Sequence, residues 1–149
     1  MPSFTYDYPR PAVTVDCVIF AQQGSPNKPL ILLIQRAHPP FEGMWALPGG
    51  FVDANETVEQ AALRELEEET GVKNIHVHQF YTFSQLGRDP RGWTISVAHW
   101  AVVQLADCQV SAGDDAQQAQ WFAFDQLPAL AFDHASIIEK AKQSYFSQI

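Results

Sequence analysis

GFVDANETVEQAALRELEEETGV, residues 50–72, places a run of glutamates at the end of a helix where they are least welcome. Thr57 with Gln60 three residues on has the pattern of a capping box. Glu59 puts negative charge in the first turn, where it is favoured, and Gly71 supplies the left-handed residue that commonly ends a helix. The stretch therefore predicts a helix over 58–70. Its C-terminal end carries Glu65, Glu68 and Glu69, although unsatisfied carbonyls already make that end negative. The three stand at i, i+3 and i+4, so their side chains are neighbours, and Arg64 alone is at hand to neutralise them. Val58, Ala62, Leu66 and Glu69 follow the helical repeat on one face, with Ala61 and Glu65 beside them. A charge run is ordinarily a solvated face, but this phase sets the carboxylates on the border of the buried stripe. A local rule broken in this way marks function. A hard divalent cation, which takes oxygen ligands, is the natural compensation.

The spacing is more specific still. Gly50, five residues, Glu56, seven residues, then Arg64-Glu65-Leu66-Glu67-Glu68-Glu69-Thr70-Gly71-Val72 fixes seven identities, which would coincide by chance on the order of once in 10⁸ windows at about 7% usage per residue type. With the lead-in Trp45-Ala46-Leu47-Pro48-Gly49-Gly50, the chain resembles the Nudix hydrolase family, and no position of the box departs from the pattern. The resemblance implies an α/β/α sandwich with a mixed β-sheet, a single domain over 1–149, cleavage of a diphosphate linkage, and Mg²⁺ or Mn²⁺ as cofactor. It also implies roles. Glu65 and Glu69 match the principal metal ligands, Glu68 a further ligand or water-positioning carboxylate, and Gly49 the residue whose backbone carbonyl completes the site. Arg64 would orient them, pairing with Glu68 at i, i+4, and a purely structural role for it stands equally open. Glu56 would brace the loop before the helix.

The chemistry follows from such a cluster. A diphosphate is anionic and repels a water nucleophile, and bound Mg²⁺ can neutralise charge, activate water and hold the leaving oxygen. The formal net charge of -8 would repel an anionic substrate unless cations bridge the two. The 149 residues, 46% hydrophobic, suffice for one globular domain with a substantial core. Cys17 and Cys108 sit in apolar, strand-like contexts and read as buried thiols of a cytoplasmic protein. The start MPSFTYDYPRP lacks the basic and apolar regions of a secretory signal, and no stretch reaches membrane-spanning length. The acidic balance argues against nucleic acid as a partner.

Along the chain, residues 12–21 and 30–36 are apolar, β-branched runs around a Gly/Ser/Pro/Asn turn and predict a core hairpin. Residues 75–86 and 93–105 predict a second pair around GRDPRG, 120–124 a shorter strand, and 133–147 a closing helix with Asp133 as its cap. The interleaving suggests a mixed sheet covered by helices on both faces.

The substrate must be read outside the box. In Gly87-Arg88-Asp89-Pro90-Arg91-Gly92 two arginines stand in close succession, and arginine is shaped for forked contacts to phosphate. A polar turn is the alternative reading. The longer strings TFSQLGRDPRGWTISVAHWA, YPRPAVTVDCVIF and AFDHASIIEKA are similar to the ADP-ribose pyrophosphatase branch of the family and to the Nudix portions of bifunctional NAD-metabolism enzymes. This resemblance implies a small-molecule nucleoside diphosphate substrate and a homodimer. Arg36, ending a core strand, and Arg88 are candidate substrate contacts. Phe51, Phe83 and Trp93 are candidate faces for an adenine ring, although each also fits a core position. His76 and His78 alternate in a way compatible with metal or with plain structure, and no role can be derived for His99 or His134. A distal acid would fall on Asp115 or Asp114, unless water is held by Glu68 and metal alone.

Three functions are consistent with these residues. Hydrolysis of ADP-ribose to AMP and ribose 5-phosphate comes first. A (d)NTP or oxidised-nucleotide pyrophosphohydrolase would keep the reaction and change the substrate. A non-catalytic ADP-ribose sensor would resemble the Nudix modules of NAD-related regulators, whose added winged-helix domain 149 residues leave no room for.

Overall fold

The computed structural model describes residues 3–113 and 116–149. Its elements are β1 (Ala12–Gln22), β2 (Leu30–Arg36), β3 (Trp45–Ala46), β4 (Gly49–Phe51), α1 (Val58–Thr70), β5 (His78–Phe83), β6 (Thr94–Gln104), β7 (Ala116–Ala123) and α2 (His134–Ser147), with a 3₁₀ turn at Leu105–Asp107. β1 pairs in parallel with β6 along its whole length, while β5 joins the far side of β6 antiparallel. β1 and β2 leave their turn as an antiparallel hairpin, Phe20 opposite Ile31, and β7 lies antiparallel along β2. The mixed sheet expected from the interleaved pattern is thus observed.

Alternation along β1 sorts the core into two layers. Val15, Cys17 and Ile19 face α1 with Ala61, Ala62 and Leu66. Val18 and Phe20 face α2 with Ile137, Ile138, Ala141 and Tyr145. Each large apolar side chain so buried contributes about 1.5–3 kcal/mol. The sheet is therefore covered on both faces, as the α/β/α expectation required.

α1 begins and ends as its sequence dictates. Thr57 and Gln60 form the reciprocal capping box, and Gly71 takes φ 77 with its N–H donating to the Glu67 carbonyl. Two more of the end carbonyls are met, since Ser111 N–H donates to Thr70 O and Gly113 N–H to Glu69 O. No basic residue stands in the last turn.

Several expectations change. Residues 45–51, read only as a loop before the helix, hold two short strands, because β1 and β2 diverge beyond their hairpin and this segment fills the gap. β3 pairs with β2 and β4 with β1. The strand expected over 75–86 is confined to 78–83, and that over 120–124 extends back to Ala116. Asp133 precedes α2 but makes no side-chain cap; Arg88 engages its carboxylate instead. Both cysteines are free, Cys17 buried and Cys108 half-buried. Among the described residues no helix is long and apolar enough to cross a membrane.

Candidate active site

β4 brings two glycines against the acidic end of α1. In the β1/β4 pair, Cys17 N–H donates to Pro48 O and Val52 N–H to Val13 O, so the intervening Asp16–Gly49 position is one whose backbone groups turn away from β1. Gly49 N–H turns to Glu69 and donates to Oε1 at 2.8 Å. A Cβ on Gly49 would lie 2.1 Å from the Val15 carbonyl oxygen, and one on Gly50 would lie 2.6 Å from the Glu65 carboxylate. Glycine is needed at both because backbone and carboxylates approach so closely.

Glu69 is only 8% exposed and lies on the buried stripe itself. Burial pushes its carboxyl up to about 9, helped by the charges of Glu65 and Asp16 and opposed by the Gly49 N–H and by Arg36. Glu65 is likewise raised, first by burial, with Arg64 partly offsetting and Glu68 and Asp53 adding to the effect. Arg64 spans the cluster. It donates through Nε and Nη2 to the Glu56 carboxylate at 2.7 and 2.9 Å, through Nη1 to Glu65 at 2.7 Å and Glu68 at 2.9 Å, and through Nη2 to the Phe51 carbonyl. Its pairing therefore reaches Glu65 as well as the expected Glu68. Glu56 is lowered to about 2 by the Arg64 bond and by the Asp53 N–H that it also accepts.

Among the described residues no three His, Cys, Asp or Glu side chains converge as a preformed metal cage, since Arg64 holds Glu65 and Glu68 while Gly49 holds Glu69. The donor set nevertheless fits a hard divalent cation. Two carboxyls raised first by burial, Glu69 also by the Glu65 charge and Glu65 by that of Glu68, flank a strand whose Gly49 carbonyl turns away from β1, and oxygen donors of this kind suit Mg²⁺ or Mn²⁺.

These groups open onto a cleft of about 380 Å³ lined also by Arg36, Phe51 and Arg91. The Arg91 guanidinium lies 4.9 Å from the Phe51 ring centroid and 5.1 Å from that of Phe132, with Arg36 at 5.0 Å on Phe132 as well. Arg91 is fixed by Asp89 at 2.8 Å. Burial opposes ionisation of Asp89, but the side-chain and backbone bonds of Arg91 outweigh it and hold the carboxyl below its ordinary range. Phe132 and Phe41 pack edge to face at 4.8 Å, both on left-handed backbone with φ 53 and 61. Strain of this sort gathers at ligand sites.

The other expected contacts fall elsewhere. Arg88, whose side chain is 5% exposed, is spent on Asp133, with forked bonds at 2.7 and 2.9 Å, and on Thr94. It is a clasp between the loop and α2, and Arg91 takes the place on the cleft expected of it. Phe83 lines a separate groove of about 780 Å³ between β5 and α2 that holds none of the glutamate cluster. Trp93 is 48% exposed and outside the cleft lining, while its carbonyl accepts from Ala12 N–H. Asp114 and Asp115 lie outside the described residues. Arg36 and Phe51 line the cleft.

Sequence reasoning missed Phe132 and the buried pair Asp16–His134. Asp16 stands among apolar residues in the middle of β1, a charged residue in a core strand, and that was the available signal.

A family model described as NUDIX domain matches residues 10–141. The chain belongs to the Nudix family. Among curated relatives it is 45% identical over 132 residues to an ADP-ribose pyrophosphatase of Methanocaldococcus jannaschii, covering 89% of this chain and 73% of that protein. It is 36% identical over 140 residues to the ADPR responsive transcriptional repressor NtrR of Acinetobacter baylyi, covering 91% of this chain but only 54% of the repressor. Among solved structures, the NUDIX domain of Shewanella oneidensis NrtR complexed with ADP ribose superposes with a TM-score of 0.83 at 34% identity, covering 93% of each chain. The Nudix fold and the box residues quoted above thus stand together in this chain.

Proposed function

We propose that this Nudix chain hydrolyses the diphosphate of ADP-ribose to AMP and ribose 5-phosphate, with Mg²⁺ or Mn²⁺ held by Glu65, Glu69 and the Gly49 carbonyl. The observation that carries the reading is the burial of Glu69 against the Gly49 N–H in a cleft also lined by Arg36, stacked on Phe132, and by Arg91, between Phe51 and Phe132. When bound, the cation neutralises the diphosphate and makes water a nucleophile near neutral pH. The chain supplies the rest. Arg64 holds Glu68 and Glu65 in place, leaving Glu68 as the carboxylate that orients water and receives its proton. The water oxygen joins one phosphorus, and the bridging oxygen departs on the other phosphate. Arg36, whose Nε is held by the Pro40 carbonyl, and Arg91, whose Nε and Nη2 are held by Asp89, bring positive charge to the cleft and counter the acidity of the protein at the phosphates, and Phe51, 41% exposed, presents a flat face to the adenine. The likeness to an ADP-ribose pyrophosphatase supports the substrate. The base is assigned to Glu68, which Arg64 Nη1 holds at 2.9 Å beside the metal-binding carboxylates.

The likeness to an ADPR responsive repressor favours a second reading, ADP-ribose binding without rapid turnover. Incubation of the purified protein with ADP-ribose, other nucleoside diphosphate sugars, NADH and nucleoside triphosphates plus Mg²⁺ or Mn²⁺ separates the two. AMP and ribose 5-phosphate are the expected products. Tight ADP-ribose binding without hydrolysis of any compound would refute the enzyme, and a preference for triphosphates would refute only the substrate.

A further inference from the structure

The chain between β3 and β4 changes partners, from β2 to β1, across Leu47 and Pro48. A ladder cannot continue through such a switch. Pro48 has no N–H, and the Leu47 N–H, buried with its residue, falls between two pairings. It donates instead to His134 Nδ1 at 2.9 Å, the first residue of α2 and 87 positions away in sequence. With Nδ1 accepting, the ring proton belongs on Nε2, and Nε2 faces Asp16 Oδ1 at 3.3 Å. Asp16 is in turn fixed by the Ser96 hydroxyl, which donates to Oδ2 at 2.5 Å. A line of contacts thus runs from β6 through β1 to α2 and ends on one backbone amide. On the other side of the same turn, Cys17 N–H holds the Pro48 carbonyl at 2.9 Å. The next residue is Gly49.

We infer that His134, held in one tautomer by Asp16, is a positioning residue that fixes the Leu47–Pro48 crossover and thereby aims the Gly49 peptide at the metal-binding carboxylates. The Ala131 N–H to Trp45 carbonyl bond at 2.8 Å and the Arg88 clasp on Asp133 moor the same end of α2, so the imidazole rests on an anchored base. This assignment rests on the metal-site reading above, and its logic is that of outer partners that set the direction of a ligand.

Three variants separate the acceptor from the rest of the ring. His134→Asn places a carbonyl oxygen near Nδ1 and keeps the acceptor for Leu47. His134→Gln places its amide nearer Nε2 and keeps only the Asp16 contact, and His134→Ala keeps neither. Mn²⁺ binding to the metal-stripped full chain is read from the free-ion paramagnetic resonance signal, alongside thermal midpoints in EDTA. His134→Gln and His134→Ala are expected to weaken Mn²⁺ binding about tenfold or more, and His134→Asn to stay within about threefold of wild type. Equal Mn²⁺ affinity in the Asn and Gln variants would overturn the inference, even if the Ala variant fails to fold, and so would lowered midpoints with affinity unchanged. A wild type that binds no Mn²⁺ would overturn the metal site and this inference together, whereas a binding wild type with indifferent variants would sink the inference alone.

Discussion

Glu69→Gln isolates the charge at the centre of the site. Its carboxyl loses its proton near 4.5 when exposed but only near about 9 in the metal-free fold, because of burial first and of the Glu65 and Asp16 charges next. Between those values the folded chain binds one more proton than the unfolded chain. Stability therefore falls as pH rises through that window, by up to about 1.4 kcal/mol per pH unit from this group. From about pH 6 to about pH 8 the metal-free wild type should lose up to about 2.7 kcal/mol that the variant keeps, or roughly 5–10 °C for a chain of this size. Glutamine retains an acceptor for the Gly49 N–H, so the local geometry survives the exchange. Thermal melts of both proteins in EDTA across this range read the effect, with Mn²⁺ titrations beside them. The variant is expected to melt above wild type by a margin that widens with pH, while Mn²⁺ affinity and turnover fall steeply. Equal pH slopes, or a variant melting below wild type at about pH 8, would refute the reasoning.

The two glycines should behave differently. Gly49→Ala meets unyielding backbone at Val15 and should cost about 3 kcal/mol or more in urea unfolding. Gly50→Ala meets the movable end of Glu65, so stability should hold to within about 1 kcal/mol while Mn²⁺ affinity drops about tenfold. Arg88→Met breaks a buried forked pair and should lower stability by about 3 kcal/mol, with KM for ADP-ribose unchanged in the folded fraction. Arg91→Lys keeps a cation beside the buried Asp89 but loses the fork on it and the stack on Phe51, and should raise KM about tenfold while lowering stability by about 1–2 kcal/mol. Melts and steady-state kinetics on the same preparations decide both.

The helix and its caps were legible because their signals are local: Thr57, Gln60 and Gly71 each act within a turn or two of their own position. The glutamate phase was legible for the same reason. Arg88 and Arg91, in one loop, could not be told apart, since which of them faces the cleft depends on where α2 places Asp133. Asp16 and His134 were visible as residues but not as a pair, because 118 positions separate them and only β1 and α2 packing brings them together. β3 and β4 are too short for any period to register, and they exist because β1 and β2 diverge. Phe132 takes a left-handed backbone that no side-chain pattern announces.

The parallel pairing of β1 with β6 has a consequence for how the molecule assembles. Its partners, Ala12 with Thr94 through Gln22 with Gln104, are each 82 residues apart, whereas Phe20 and Ile31 in the hairpin are 11 apart. Closing the larger loop costs about 2 kcal/mol more in chain entropy, and such distant pairings form slowly. The hairpin and α1 can form from neighbouring residues, but the glycines of β4 and the glutamates of α1 both lie inside the large loop. His134 arrives later still, on the last helix of the chain. The glutamate-bearing end of α1 can thus take shape early and acquire its surroundings late, so a half-folded chain carries bare carboxylates without the β4 backbone that packs on them.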